Sequence, residues 1–135
     1  IAHQFAKRHK VIVVLKGART IVATPSEISV NLTGNPAMAS AGTGDVLTGM
    51  IASFIGQHMR VEDAVKAAVY IHGKLGEVWS QKTRASRGLL ASDLIRLIPQ
   101  TIEKSLFKCH PCESRDLTLR RRKIPDSASR FRDDI

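Results

Sequence analysis

The residues of this chain most able to do chemistry are Gly42, Thr43, Gly44 and Asp45, which follow a run of small residues and precede an apolar helical pattern. Glycines leave the backbone open to a bulky anion, and the first amides of a helix have no intrahelical acceptor. The pattern therefore predicts a phosphate-binding turn at a helix N-terminus. Because a carboxylate repels phosphate, Asp45 indicates a general base acting beside that phosphate. A simple helix cap is the alternative role for Asp45.

A second candidate is Lys16, which follows the apolar run Val11–Leu15. The composition and length of that run predict a buried strand. A lysine at the carboxyl end of a strand in an open α/β sheet is well placed for a ligand crevice. A solvated lysine in a turn is the alternative. The glycine turn is not a P-loop, which requires Lys and then Ser or Thr directly after its last glycine.

The elements that must position these residues follow from the spacing of apolar side chains. Predicted strands cover residues 11–15, 21–23 and 28–32, with a turn at Pro25-Ser26. Predicted helices run from Gly44 to about Gln57, from Val61 to Lys82, and from an N-cap near Ser92-Asp93. Pro99 is expected to interrupt the third helix. Strands followed by helices fit the end of an α/β domain.

Four longer segments occur in a specific order: LKGART at 15–20, NLTGNPAMASAGTGDVLTGMIA at 31–52, AVYIHGKLGE at 68–77 and GLLASDLIRLIP at 88–99. Together they resemble the ADP- or ATP-dependent NAD(P)H-hydrate dehydratases of the ribokinase-like superfamily, over roughly residues 10–107. The Gly-Thr-Gly-Asp element alone is shared with the vitamin and sugar kinases of that superfamily. The combination of segments is what points to the dehydratases.

The resemblance implies a fold and a domain division. The fold class is α/β, ribokinase-like, the C-terminal part of a mostly parallel sheet covered by helices. Full domains of the family are longer and the chain begins at Ile1, so an N-terminal half is expected upstream. Residues 1–107 would form the C-terminal part of the dehydratase domain. Residues 108–135 form a basic tail in which 13 of 28 residues are charged, and we expect it to stay disordered.

The resemblance also implies an activity. Asp45 would bind the substrate and act as the catalytic residue, helping the hydroxyl of NADHX or NADPHX attack the terminal phosphate of ADP or ATP. Loss of phosphate would then restore NADH or NADPH, and Mg²⁺ would accompany the nucleotide. Two segments match nucleotide-binding stretches of the family, and they comprise Lys16, Gly17, Ala18, Arg19 and Thr20, and Asn35, Pro36, Ala37, Met38, Ala39, Ser40, Ala41, Gly42, Thr43 and Gly44.

Two other functions stay open: a small-molecule kinase of the same superfamily, which would release a phosphorylated product, and an inactive nucleotide-binding remnant. The net charge of +9 favours acidic ligands such as nucleotides over nucleic acid. No apolar run approaches the length of a membrane span, and no signal peptide is recognisable. A homo-oligomer and an upstream epimerase domain are compatible with the resemblance.

The remaining chemistry-bearing residues carry weaker signals. Cys109, His110 and Cys112 form only half of a zinc pattern, so no metal site is predicted. Two neighbouring cysteines form no disulfide framework, and a reducing, cytoplasmic location is expected. His72 falls on the apolar face of the second predicted helix and is expected to be a core residue. The run Arg120–Lys123 is expected to be a solvated part of the tail.

Overall fold

The computed structural model describes residues 1–107. The predictions for the basic tail and its cysteines therefore lie outside the described residues. The chain forms elements in the order α1 (Ala2–His9), β1 (Val13–Leu15), β2 (Ile21–Ala23), β3 (Ile28–Val30), a 3₁₀ turn (Pro36–Met38), α2 (Thr43–Gly56), α3 (Val61–Thr83) and α4 (Ala91–Phe107). Within residues 1–107, no helix combines the length and the apolar character that crossing a membrane requires.

The three strands form an antiparallel sheet in the order β1-β2-β3. Val14 pairs with Val22, and Val22 pairs in turn with Ser29. This direction differs from the mostly parallel sheet that the sequence led us to expect. The connections at residues 16–20 and 24–27 are the physical reason, because a parallel pair needs a crossover of about a dozen residues or more.

One face of the sheet packs on the helices. Val22, on the central strand, is buried in the main core, and Val14 is half-buried against that core. Leu15 points to the opposite face and is 54% exposed. The prediction that residues 11–15 form a buried strand is therefore wrong, because β1 is an edge strand whose residues are half-buried or exposed.

The helices largely follow their predicted limits. Helix α3 ends one residue beyond the predicted Lys82, and its buried face carries small and aliphatic side chains around Trp79. Helix α3 packs against both α2 and α4, so it lies at the centre of the helical layer. The main core is built between these three helices and β2, and it contains Val22, Leu47, Met50, Val65, Ala68, Val69, Leu75, Trp79, Leu89, Leu94 and Leu97.

Helix α4 corrects two details of the prediction. It continues through Pro99 to Phe107 without interruption. The proline costs one backbone hydrogen bond, but Leu94 and Leu97 are buried before it and Thr101 after it, so packing against α3 holds both halves in line. The helix begins at Ala91, and the carboxylate of Asp93 accepts a hydrogen bond from the Leu90 amide at 3.1 Å, which caps it from within the first turn.

Candidate functional site

Two cavities border α2. Cavity A, of about 660 Å³, lies between the β1–β2 connection, the segment after β3, and α3. Cavity B, of about 590 Å³, lies between α2 and α4 and has mainly apolar walls. Their relation to α2 matters because helix N-termini favour anions.

Cavity A unites most of the two predicted nucleotide-binding segments, although they are distant in sequence. The whole first segment lines it, and the second contributes only its first half. The lining residues from the prediction are Lys16, Gly17, Ala18, Arg19, Thr20, Asn35, Pro36, Met38 and Ala39. Ala37 is buried in the core instead, while Gly42 and Asp45 line cavity B. Ser40, Ala41, Thr43 and Gly44 line neither cavity.

The turn before α2 has a defined hydrogen-bond pattern. Gly42 adopts a left-handed conformation with φ of 80°, and its carbonyl accepts from the amides of Asp45 at 3.1 Å and Val46 at 3.2 Å. The amides of Thr43 and Gly44 precede those bonds and so have no intrahelical acceptor. Two free amides at a helix N-terminus are the arrangement that binds phosphate.

Lys16 adds a positive charge to this turn. A Cβ built on Gly44 would lie 3.0 Å from the Lys16 Nζ, so the ammonium group stands directly against the first turn of α2. Gly44 does not adopt a left-handed φ. A glycine is therefore needed at this position for the space that it leaves to the Lys16 ammonium group, and not for its backbone conformation. An ammonium group and free helix amides attract the same ligand, an anion.

Thr43 ties the turn to the loop before it. Its side chain is buried, and its hydroxyl lies within hydrogen-bonding distance of the carbonyls of Met38 (3.0 Å) and Ser40 (2.9 Å). The hydroxyl is therefore used inside the protein. Any contact of Thr43 with a ligand would have to come from its backbone.

Asn35 also uses its side chain internally. Its amide donates to the Gly76 carbonyl at 2.7 Å and to the Ser80 hydroxyl at 2.8 Å, and its Oδ1 accepts from the Ala37 amide at 3.1 Å. All three bonds are local to the wall of cavity A. Asn35 therefore anchors the 3₁₀ turn to α3, and only the remaining surface of the residue can face a ligand.

Several residues that hold cavity A were not predicted from the sequence. The Thr33 hydroxyl donates to the Tyr70 carbonyl at 2.9 Å, and the Gly34 amide donates to Glu77 at 3.1 Å. Burial raises the pKa of Glu77, but hydrogen bonds from Lys74 and Gly34 outweigh it and leave the pKa lowered. A signal was present in the three-residue spacing of Gly73 and Gly76, which marks a helix face for close approach.

His72 is the buried ionisable side chain of the described residues 1–107, as its position on an apolar face predicted. Its Nε2 donates to the Thr43 carbonyl at 2.7 Å. Burial lowers the pKa of His72, the charge of Lys16 lowers it further, and the bond to Thr43 opposes both. The neutral ring is therefore favoured, with its proton on Nε2.

Within residues 1–107, no group of three or more His, Cys, Asp or Glu side chains could hold a metal ion. Asp45 is the carboxylate that lies in the first turn of α2.

Comparison with known proteins gives a consistent set of relatives. The sequence profile of the NAD(P)H-hydrate dehydratases matches residues 1–100. The chain is 47% identical over 92 residues to the bifunctional NAD(P)H-hydrate repair enzyme of Vibrio cholerae, covering 68% of this chain and 18% of that protein. It is 39% identical over 100 residues to the ADP-dependent (S)-NAD(P)H-hydrate dehydratase of Bacillus subtilis, covering 73% and 36%. The chain thus spans well under half of these relatives.

Solved structures agree with the sequence matches. The ADP/ATP-dependent NAD(P)H-hydrate dehydratase of Bacillus subtilis, co-crystallised with ATP and Mg²⁺, superposes with a TM-score of 0.73 at 38% identity, covering 76% of this chain and 37% of that one. A ribokinase-like superfamily protein of Enterococcus faecalis superposes with a TM-score of 0.67 at 30% identity, covering 76% and 35%. The predicted ribokinase-like α/β fold is confirmed.

Proposed function

This chain belongs to the NAD(P)H-hydrate dehydratase family, and from that premise we propose that its complete gene product catalyses the nucleotide-dependent dehydration of NADHX or NADPHX. The product is NADH or NADPH, so the activity repairs a damaged cofactor. The observation that carries the proposal is the meeting of the two proposed nucleotide-binding segments in cavity A, from which Lys16 reaches the first turn of α2 that bears Asp45.

Cavity A is proposed to hold the nucleotide. Lys16, which lines this cavity, supplies positive charge for the phosphates. The amides of Thr43 and Gly44 lie outside the lining, in the turn that the Lys16 ammonium reaches, and supply donors there. The segment after Asn35 supplies further backbone at the wall of the same cavity. ADP or ATP fits this arrangement, since both present a phosphate chain to a helix N-terminus.

Asp45 is proposed to act from the side of cavity B, which it lines. It takes the proton of the hydrate hydroxyl while that oxygen forms a bond to the terminal phosphorus and the bond from phosphorus to the nucleotide oxygen breaks. The C–O bond then breaks, phosphate leaves, and a proton is lost from the neighbouring ring carbon, which restores the double bond. General-base help of this kind is worth about 10²–10⁴ in rate.

Mg²⁺ is expected to enter with the nucleotide. It usually keeps several waters and binds through phosphates and one or two carboxylates, so it does not need a cluster of protein ligands. When bound, the ion would neutralise charge on the phosphates.

The test is an assay of the complete gene product with NADHX or NADPHX, Mg²⁺, and ADP or ATP in separate reactions. We expect recovery of the reduced nicotinamide absorbance together with release of inorganic phosphate. A stable phosphorylated hydrate, followed by ³¹P NMR, would favour the kinase alternative instead. Nucleotide binding without either product would favour the inactive remnant.

A further inference from the structure

His72 connects two helices at the turn where the proposed chemistry takes place. It lies on α3, and its Nε2 donates to the carbonyl of Thr43, the first residue of α2, at 2.7 Å. Both side chains are buried, with exposed fractions of 7% and 3%. A buried hydrogen bond of this kind is costly to lose, because no water can reach the carbonyl to replace the imidazole as a donor.

The position of His72 is itself fixed by its neighbour. Gly73 packs directly against Thr33, and no other residue would fit at that distance. The Thr33 hydroxyl also donates to the Tyr70 carbonyl at 2.9 Å. This stretch of α3 is therefore held in place as part of the wall of cavity A, which His72 and Gly73 line, and its imidazole reaches the first residue of α2.

The held carbonyl lies two residues before Asp45, with Gly44 between them. First turns of helices otherwise fray, since their leading amides have no acceptor. We propose that His72 is a positioning residue that fixes the first turn of α2, and with it the two free amides and Asp45. The inference deepens the proposed function, on which its consequence for nucleotide binding rests.

Gln and Met provide a matched pair of substitutions. The amide nitrogen of Gln reaches approximately the place of Nε2 and can donate, whereas Met has similar length and no donor. If His72 only filled space in the core, the Gln and Met substitutions would have the same effect. His72→Gln should therefore rescue the turn, and His72→Met should not. Thr101→Val is the control, because Thr101 is another buried polar residue that lines neither cavity.

The first measurement is amide hydrogen exchange by NMR on this chain without ligand. The amides of Asp45 and Val46 report on the turn through their bonds to the Gly42 carbonyl. We expect them to exchange about five- to tenfold faster in His72→Met, and within about twofold of wild type in His72→Gln and Thr101→Val. Equal exchange in the Met and Gln variants would overturn the positioning role.

The second measurement is the affinity for ADP·Mg²⁺ by calorimetry on the complete gene product and on the same three variants of it. We expect about a five- to tenfold weaker Kd in His72→Met and near-wild-type affinity in His72→Gln. If wild type binds no ADP, the proposed function fails while the exchange data still decide the role of His72. If ADP binds equally to both variants, the positioning role fails and the proposed function stands.

Discussion

Gly73 of α3 and Thr33 of the segment after β3 are in direct contact, with no room between them for a side chain. A Cβ at position 73 would lie 2.1 Å from the Thr33 Oγ1 and 2.7 Å from its carbonyl carbon and oxygen. One turn along the same face, a Cβ at Gly76 would lie 2.4 Å from the Met38 Sδ. The wall of cavity A therefore depends on two glycines of α3. Gly73 faces the backbone of Thr33, whereas Gly76 faces the flexible side chain of Met38.

This difference predicts unequal effects of the same substitution. Gly73→Ala should lower the free energy of unfolding by about 1–3 kcal/mol, because the Thr33 backbone must move, even though alanine favours a helix by up to about 1 kcal/mol. Gly76→Ala should stay within about 1 kcal/mol of wild type, because Met38 can change rotamer. Urea unfolding measures both. Equal losses would show that α3 is free to shift away from the loop.

The sequence predicts α3 and most of α2 well because their signals are local, namely apolar side chains at helical spacing. The antiparallel direction of the strands follows from their short connections, which the sequence already contains. The continuity of α4 through Pro99 depends instead on packing against α3. The same limit applies to the site. The two proposed nucleotide-binding segments were predicted from the family resemblance. The internal use of the Asn35 amide and the placement of Asp45 on cavity B arise from packing against α3 and α4.

Asn35→Asp tests whether the amide anchors the turn. The substitution keeps the shape and the acceptor for Ala37, but it replaces the donor that faces the Gly76 carbonyl and the Ser80 hydroxyl. Two facing acceptors repel, so we expect a loss of about 1–3 kcal/mol in the free energy of unfolding. Ser80→Ala removes only one of the two partners and should cost less. If Asn35→Asp leaves stability unchanged, the anchor is not formed in solution.

Gly44→Ala tests the approach of Lys16 to the helix turn. The added methyl group would lie 3.0 Å from the Nζ, so the ammonium must move away from the proposed phosphate position. We expect the Kd for ADP·Mg²⁺ to rise by about tenfold or more, with the fold preserved, since about 1.4 kcal/mol corresponds to a factor of ten. Gly56→Ala is the control, because it lies in the same helix with open space around it. Calorimetry showing equal affinities for both variants would remove Lys16 from the phosphate site.

Asp45→Asn separates binding from catalysis. The amide keeps the size of the side chain at cavity B but cannot accept the hydroxyl proton, so kcat of the complete gene product should fall by at least about 10². Nucleotide affinity should stay near wild type, because cavity A and the free amides are unchanged. Steady-state kinetics and calorimetry together make the distinction. A kcat within a few-fold of wild type would remove Asp45 from the mechanism and leave it as a favourable negative charge in the first turn of α2.

The lowered pKa of His72 predicts how stability depends on pH. Burial is the main cause, and the charge of Lys16 acts in the same direction. In the unfolded chain His72 takes up its proton near pH 6.5, whereas in the folded protein it does so at lower pH. Between these two values the unfolded state binds more protons, so the free energy of unfolding falls as the pH decreases through 6.5 and stops falling below the folded pKa.

His72→Gln provides the comparison, since glutamine has no proton to gain in this range while it keeps the donor to Thr43. Other groups titrate in both proteins and cancel in the difference. Urea unfolding at pH 7.5 and pH 5 should therefore show that wild type loses more stability than His72→Gln over the same interval. An equal loss in the two proteins would mean that folding leaves the pKa of His72 unchanged, and that the ring is not held neutral against Thr43.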